Sequence, residues 1–229
     1  SISLGATSGK SMHVSASELQ RMTATNGLQV GSSVAGTISV NTISQTDSAD
    51  VKPVVTLVAG NADAQVQFDS DGAVVFNTLE VQADAGIIVE QAITTDTGFL
   101  HLDADKDSAD DSAANTLGFT DGLTMTSATT ITLSARAAGG IVPAGKLTLN
   151  AQTGVYITDN MTTGTANKAL VINADMDSTG SSGRANGEQC DSAAAHRSIY
   201  AFGKLAPRPI GFLRNPCLTV TNKMFDVPA

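Results

Sequence analysis

The sequence predicts an all-β chain whose short strands stack as the coils of a solenoid. Three observations carry that prediction: a long internal repeat, a two-residue alternation of apolar side chains in many short segments, and a composition poor in rings but rich in turn residues. The repeat lays Leu79-Glu80-Val81-Gln82-Ala83-Asp84-Ala85-Gly86-Ile87-Ile88-Val89 over Leu147-Thr148-Leu149-Asn150-Ala151-Gln152-Thr153-Gly154-Val155-Tyr156-Ile157 at a shift of 68 residues without a gap. It continues through Ile93-Thr94-Thr95 onto Met161-Thr162-Thr163. Two extra residues then bring Leu100-His101-Leu102-Asp103-Ala104-Asp105 onto Leu170-Val171-Ile172-Asn173-Ala174-Asp175, so 79–108 match 147–178. A unit of this length holds roughly three coils of about 22 residues.

The alternation is read in order along Leu28–Val30, Thr37–Val40, Val54–Val58, Ala64–Phe68, Gly72–Phe76, Leu79–Val81 and Ile87–Val89. It resumes in Phe99–Leu102, Leu123–Met125, Thr130–Leu133, Lys146–Leu149, Val155–Ile157 and Leu170–Ile172. Apolar residues at i and i+2 put one face of a strand inside and leave Thr, Gln, Asn and Glu facing water. Gly, Asn, Asp and Ser separate the segments. Strands this short gain stability only by pairing with coils above and below. Ser15 and Glu18 have capping-box spacing, and Leu19 and Met22 would share a helical face. The preferred reading nevertheless makes Met12–Val14 and Leu19–Met22 two further rungs.

Aromatic residues are 4% of the chain and Trp is absent, so Val, Ile, Leu and Ala must fill the core. Asp and Glu number 22 against 13 Lys and Arg, a net charge of −9 with no basic cluster, which argues against nucleic acid and anionic membranes. No stretch approaches the roughly 18–20 apolar residues that span a bilayer, so no membrane insertion is expected. The opening Ser1-Ile2-Ser3 has neither Met nor a targeting segment, so the chain reads as a mature product or a piece of something longer.

The solenoid is expected over 1–178. Residues 178–187 are rich in Ser and Gly, and the segment 179–229 reads as a linker and an irregular tail that either caps the stack or is unstructured. The tail holds four of the six prolines and both cysteines. Cys190 and Cys217 are either one disulfide closing 28 residues or two thiols.

Candidate chemistry centres on Asp103, Asp105 and Asp107. Carboxylates at i, i+2 and i+4 match the opening of a calcium loop, although Ser108 stands at the sixth position, where such a loop wants Gly, and no Glu stands at the twelfth. Asp175-Met176-Asp177 and Asp69-Ser70-Asp71 are lesser acidic turns. The competing reading is a solvated acidic bulge, and no cofactor beyond calcium is expected. No catalytic residues are assigned. A carbohydrate-active enzyme would need a basic residue beside its carboxylates, and none gathers there in the sequence. His101 should point outward, and His13 and His196 are remote from it. The pairs Thr124/Thr126, Thr130/Thr132 and Thr23/Thr25 raise ice binding, but Gln29, Glu80, Ile88 and His101 interrupt the array.

The run Ser15-Ala16-Ser17-Glu18-Leu19-Gln20-Arg21-Met22-Thr23-Ala24-Thr25-Asn26-Gly27-Leu28 resembles long repetitive surface proteins of the filamentous-haemagglutinin adhesin type. So do Gly122–Leu133 and Gly145–Leu149, and the similarity in texture covers about residues 1–178. The resemblance implies a right-handed parallel β-helix with a secreted or cell-surface life. The function expected is a non-enzymatic, extracellular rod that is structural or adhesive. Its partner would be a cell-surface or matrix component, polysaccharide or protein. The alternatives are a carbohydrate-active β-helix enzyme, a polysaccharide lyase or hydrolase, and an ice-binding solenoid.

Overall fold

The computed structural model describes residues 1–6, 9–109, 115–136, 140–162 and 168–177, with the backbone of 184–187 and 199–201. The fold is all-β with two four-residue helices, α1 (Ala16–Leu19) and α2 (Gln45–Ser48). Sheet 1 runs β2 (Met12–Val14), β1 (Ile2–Gly5), β4 (Ile38–Asn41), β6 (Val66–Phe68), β9 (Ile87–Val89), β12 (Leu117–Phe119), β15 (Ile141–Pro143). Sheet 2 runs β7 (Val74–Phe76), β10 (Ile93–Thr95), β13 (Leu123–Ser127), β16 (Leu147–Ala151), β18 (Leu170–Asn173), β20 (Ile199–Ala201). Sheet 3 runs β3 (Leu28–Ser32), β5 (Val55–Ala59), β8 (Leu79–Ala83), β11 (Leu100–Asp103), β14 (Thr130–Ser134), β17 (Gly154–Ile157), β19 (Arg184–Gly187). Every described strand pairing is parallel.

From β6 to β17 the chain visits sheets 1, 2 and 3 in strict rotation. Each strand therefore pairs with the strand met one circuit later, and like positions stack in columns. In sheet 3 one inward column is Leu28, Val55, Leu79, Leu100, Ile131 and Val155. In sheet 1 the column Val40, Phe68, Val89, Phe119 alternates small and large side chains, which is how neighbouring layers fill space without gaps. Phe68, Phe76 and Phe119 are the only rings in the described core, and aliphatic side chains supply nearly all the rest.

Two inward positions are polar, against the expectation that hydroxyls face water. Thr95 and Ser127 are buried in the sheet 2 column Phe76, Thr95, Ser127, Ala151. Thr95 Oγ1 donates to Ser127 Oγ at 3.0 Å, and Ser127 Oγ lies 2.9 and 3.0 Å from the carbonyls of Gly98 and Thr130. The hydroxyls tie the turn between sheets 2 and 3, so their burial leaves no unmet polar group.

The helices correct the reading of 12–22 as two rungs. Met12–Val14 is a strand, but 16–19 is helical. Ser15 N–H donates to Glu18 Oε2 at 2.9 Å and Glu18 N–H to Ser15 Oγ at 3.3 Å, a complete capping box. Ser44 and Asp47 repeat the spacing at the start of α2, where Ser44 N–H donates to Asp47 at 2.8 Å. In the first two circuits these helices stand where later circuits place a sheet 2 strand. α1 packs on α2, and α2 packs on β7. The helix column ends at Asn77, a buried side chain. Its amide donates to the carbonyls of Ser48, Ala49 and Val51 at 3.3, 3.0 and 3.0 Å, adding side-chain donors where the helix ends and its own amides run out.

The 68-residue repeat does not return to the same sheet. Leu79 lies in sheet 3 and Leu147 in sheet 2; Ile87 lies in sheet 1 and Val155 in sheet 3; Leu100 lies in sheet 3 and Leu170 in sheet 2. Three full circuits would carry Leu79 to Val155 instead. Both copies share the burial alternation, which is common to all three sheets, so sequence self-similarity records the alternation and not the face. β19 and β20 fall in the expected tail 179–229, where their backbones extend sheets 3 and 2. Cys190, Cys217 and His196 lie outside the described residues.

Candidate functional site

The richest grouping of ionisable side chains sits where sheet 3 turns toward sheet 1. Four circuits carry an apolar-x-Ala sequence at this corner: Leu57-Val58-Ala59, Val81-Gln82-Ala83, Leu102-Asp103-Ala104 and Leu133-Ser134-Ala135. Each alanine is buried and stacked, which fixes where the next residue leaves the sheet. Asp103 is in register with Gln82 and Ser134, facing outward. Asp105 and Arg136 follow the alanines of adjacent circuits. A shallow depression here is lined by Asp103, Asp105, Lys106, Ser108, Ser134, Ala135, Arg136 and Asp159.

Hydrogen bonds hold most of these groups in place. Asp105 N–H donates to Asp103 Oδ1 at 3.3 Å, and Asp105 Oδ1 accepts from Asn115 Nδ2 at 2.9 Å. Arg136 Nη1 donates to the Ser108 carbonyl at 3.2 Å. Asp159 accepts from Ala135 N–H and Thr158 Oγ1, both at 3.0 Å. Asp107 stands apart and exposed, accepting from Ala109 N–H at 3.0 Å within its own turn. Of the expected calcium ligands, Asp103 and Asp105 line the depression and Asp107 does not. Among the described residues no three His, Cys, Asp or Glu side chains are grouped so as to hold a metal. Asn173 Oδ1 accepts from Asp175 N–H at 3.4 Å, the same turn as Asp103 and Asp105 make, so this detail of the repeat survives the change of sheet.

Sequence reasoning saw no basic residue beside these carboxylates. The structure brings Arg136 there, alongside the Lys106 that follows Asp105 in the chain, because the register of β11 on β14 closes a separation of about thirty residues. The apolar-x-Ala sequence, aligned circuit by circuit, is the signal that would have found Arg136. The result is a mixed-charge surface able to grip a ligand bearing hydroxyl and carboxylate groups. Elsewhere on sheet 3, His101 faces outward as expected, its Nδ1 3.9 Å from Glu80 Oε1.

A second ionic cluster lies at the turn between sheets 1 and 2. Lys168 Nζ and Lys146 N–H each approach the Asp121 carboxylate at 2.6 Å. The Lys168 hydrogen bond, followed by the Lys146 amide, holds this carboxyl below the usual range. It clips successive circuits together at the surface.

No family model matches this chain, and neither a curated protein nor a solved structure matches it. Among the described residues no helix is long and apolar enough to cross a membrane.

Proposed function

We propose that this chain is a right-handed parallel β-helix of the filamentous-haemagglutinin type, serving outside the cell as a non-enzymatic rod. The observation that carries the reading is the unbroken strand register. Six strands of sheet 3 keep Leu28, Val55, Leu79, Leu100, Ile131 and Val155 in a single inward column. A stack of this kind is stiff, because every interior strand is hydrogen-bonded on both edges, and its outward columns repeat weak contacts toward a polysaccharide or protein of the surface or matrix. Antibodies to the chain should label intact source cells; labelling only after permeabilisation would contradict the extracellular reading.

One observation favours a second reading, a carbohydrate-active enzyme: Arg136 and Lys106 stand beside Asp103, Asp105 and Asp159. A cation next to carboxylates suits an acidic sugar. On this reading the chain releases oligosaccharides from a uronate polymer and Asp159→Asn abolishes release. The rod reading predicts no release by either protein.

A further inference from the structure

We propose that the outward face of sheet 2 is an ice-binding surface. In the sequence the threonine pairs look interrupted by Gln29, Glu80, Ile88 and His101. The structure puts Gln29, Glu80 and His101 on sheet 3 and Ile88 on sheet 1. Sheet 2 carries none of them. Its outward positions from β7 to β18 are Val75, then Thr94, then Thr124 and Thr126, then Thr148 and Asn150, then Val171 and Asn173. All eight are half-exposed, and none is ionisable or aromatic.

The threonines form a compact patch. Thr94 is the direct register partner of Thr126, and Thr124 of Thr148. Partners across adjacent strands lie about 4.8 Å apart, and Thr124 and Thr126 about 6.6 Å apart along one strand. Buried or corner hydroxyls such as Thr95, Thr97 and Thr158 are hydrogen-bonded within the protein. None of the four patch hydroxyls has a protein partner among the described residues. They are left to water, at regular spacing, with a methyl group beside each.

That chemistry favours a flat, uncharged lattice of water oxygens. A charged side chain keeps its own hydration shell and opposes docking on such a lattice. In a chain of net charge −9, sheet 2 presents none along five strands. Sheet 1 is a poorer match, because Gly118 leaves a dent between Ile88 and Val142. A sugar chain would favour aromatic platforms, and the outward positions from β7 to β18 hold none. The patch is also far smaller than the roughly 800 Å² per partner that a stable pair of copies buries.

The inference shares the strand register with the rod reading but not its extracellular or adhesive role, so the antibody test and the ice test can fail separately. The test is ice-recrystallisation inhibition by the full chain, with Thr126→Lys in the patch and Thr132→Lys on sheet 3 as control, each checked by a cooperative thermal melt. The wild type should arrest grain growth, Thr132→Lys should match it, and Thr126→Lys should need about tenfold more protein for the same effect. If Thr126→Lys does not melt cooperatively, Thr148→Lys takes its place. Absence of inhibition by the wild type, or equal loss in patch and control variants, overturns the proposal.

Discussion

At the scale of single residues, Asn77 and Asp121 tie neighbouring circuits in different ways. Asn77 is buried and gives two N–H groups to three carbonyls at the end of α2. Asn77→Ala should cost about 2 kcal/mol, seen as a lower urea midpoint at unchanged m-value. Asn77→Asp should cost more, because a carboxylate offers no donor and faces three carbonyl oxygens. Asp121 is exposed and acts through charge. Its folded carboxyl is held below the ordinary value by Lys168 and Lys146, so the ionised form adds stability above about pH 4. That contribution disappears as pH falls through the lowered folded value. Asp121→Asn should therefore flatten the acid side of a melting-midpoint profile. Gly145→Ala should copy it, since a Cβ at Gly145 would lie 2.1 Å from Asp121 Oδ1 and push the carboxylate off its partners. Neither contact was legible in the sequence. Asn77 reads there as a turn residue and Asp121 as a surface acid, and only the stacking of circuits gives them partners.

At the scale of elements, the strands were legible and the helices were not fully so. Alternation at i and i+2 located thirteen of the sixteen strands from β3 to β18, because burial of one face is a local demand on each strand, and it missed β10, β12 and β15, each only three residues long. α1 carried its signal in Ser15 and Glu18, yet Leu19 and Met22 fit a strand reading as well. Gln45-Thr46-Asp47-Ser48 has no apolar period at all, and only Ser48 of α2 is buried. Its helix follows from the cap at Ser44 and from the support of Asn77 below. The strand interior should behave as a core. Ile131 lies fully buried between Leu100 and Val155. Ile131→Val should lower stability by about 1 kcal/mol. Ile131→Asp leaves a charge without a partner in the stack and should abolish the cooperative far-ultraviolet circular dichroism melt; a retained melt would refute the column assignment.

At the scale of the whole molecule, the repeat predicted stacking correctly but not its phase. The match of 79–108 to 147–178 moves each strand to a different sheet, since the three sheets impose the same alternation and differ only in what their outward positions meet. The candidate sites follow from phase, which is why sequence alone separated Asp103 from Arg136 and broke up the sheet 2 threonines. The central claim is the parallel, in-register stack, and the most direct test is a distance along one outward column. Gln29 and Tyr156 share such a column in sheet 3, five strand spacings apart, or about 24 Å. Spin labels at Gln29→Cys and Tyr156→Cys, with Cys190 and Cys217 replaced by Ala, should give a narrow pulsed electron-resonance distance distribution near that value. A broad distribution without a peak there would contradict the stack.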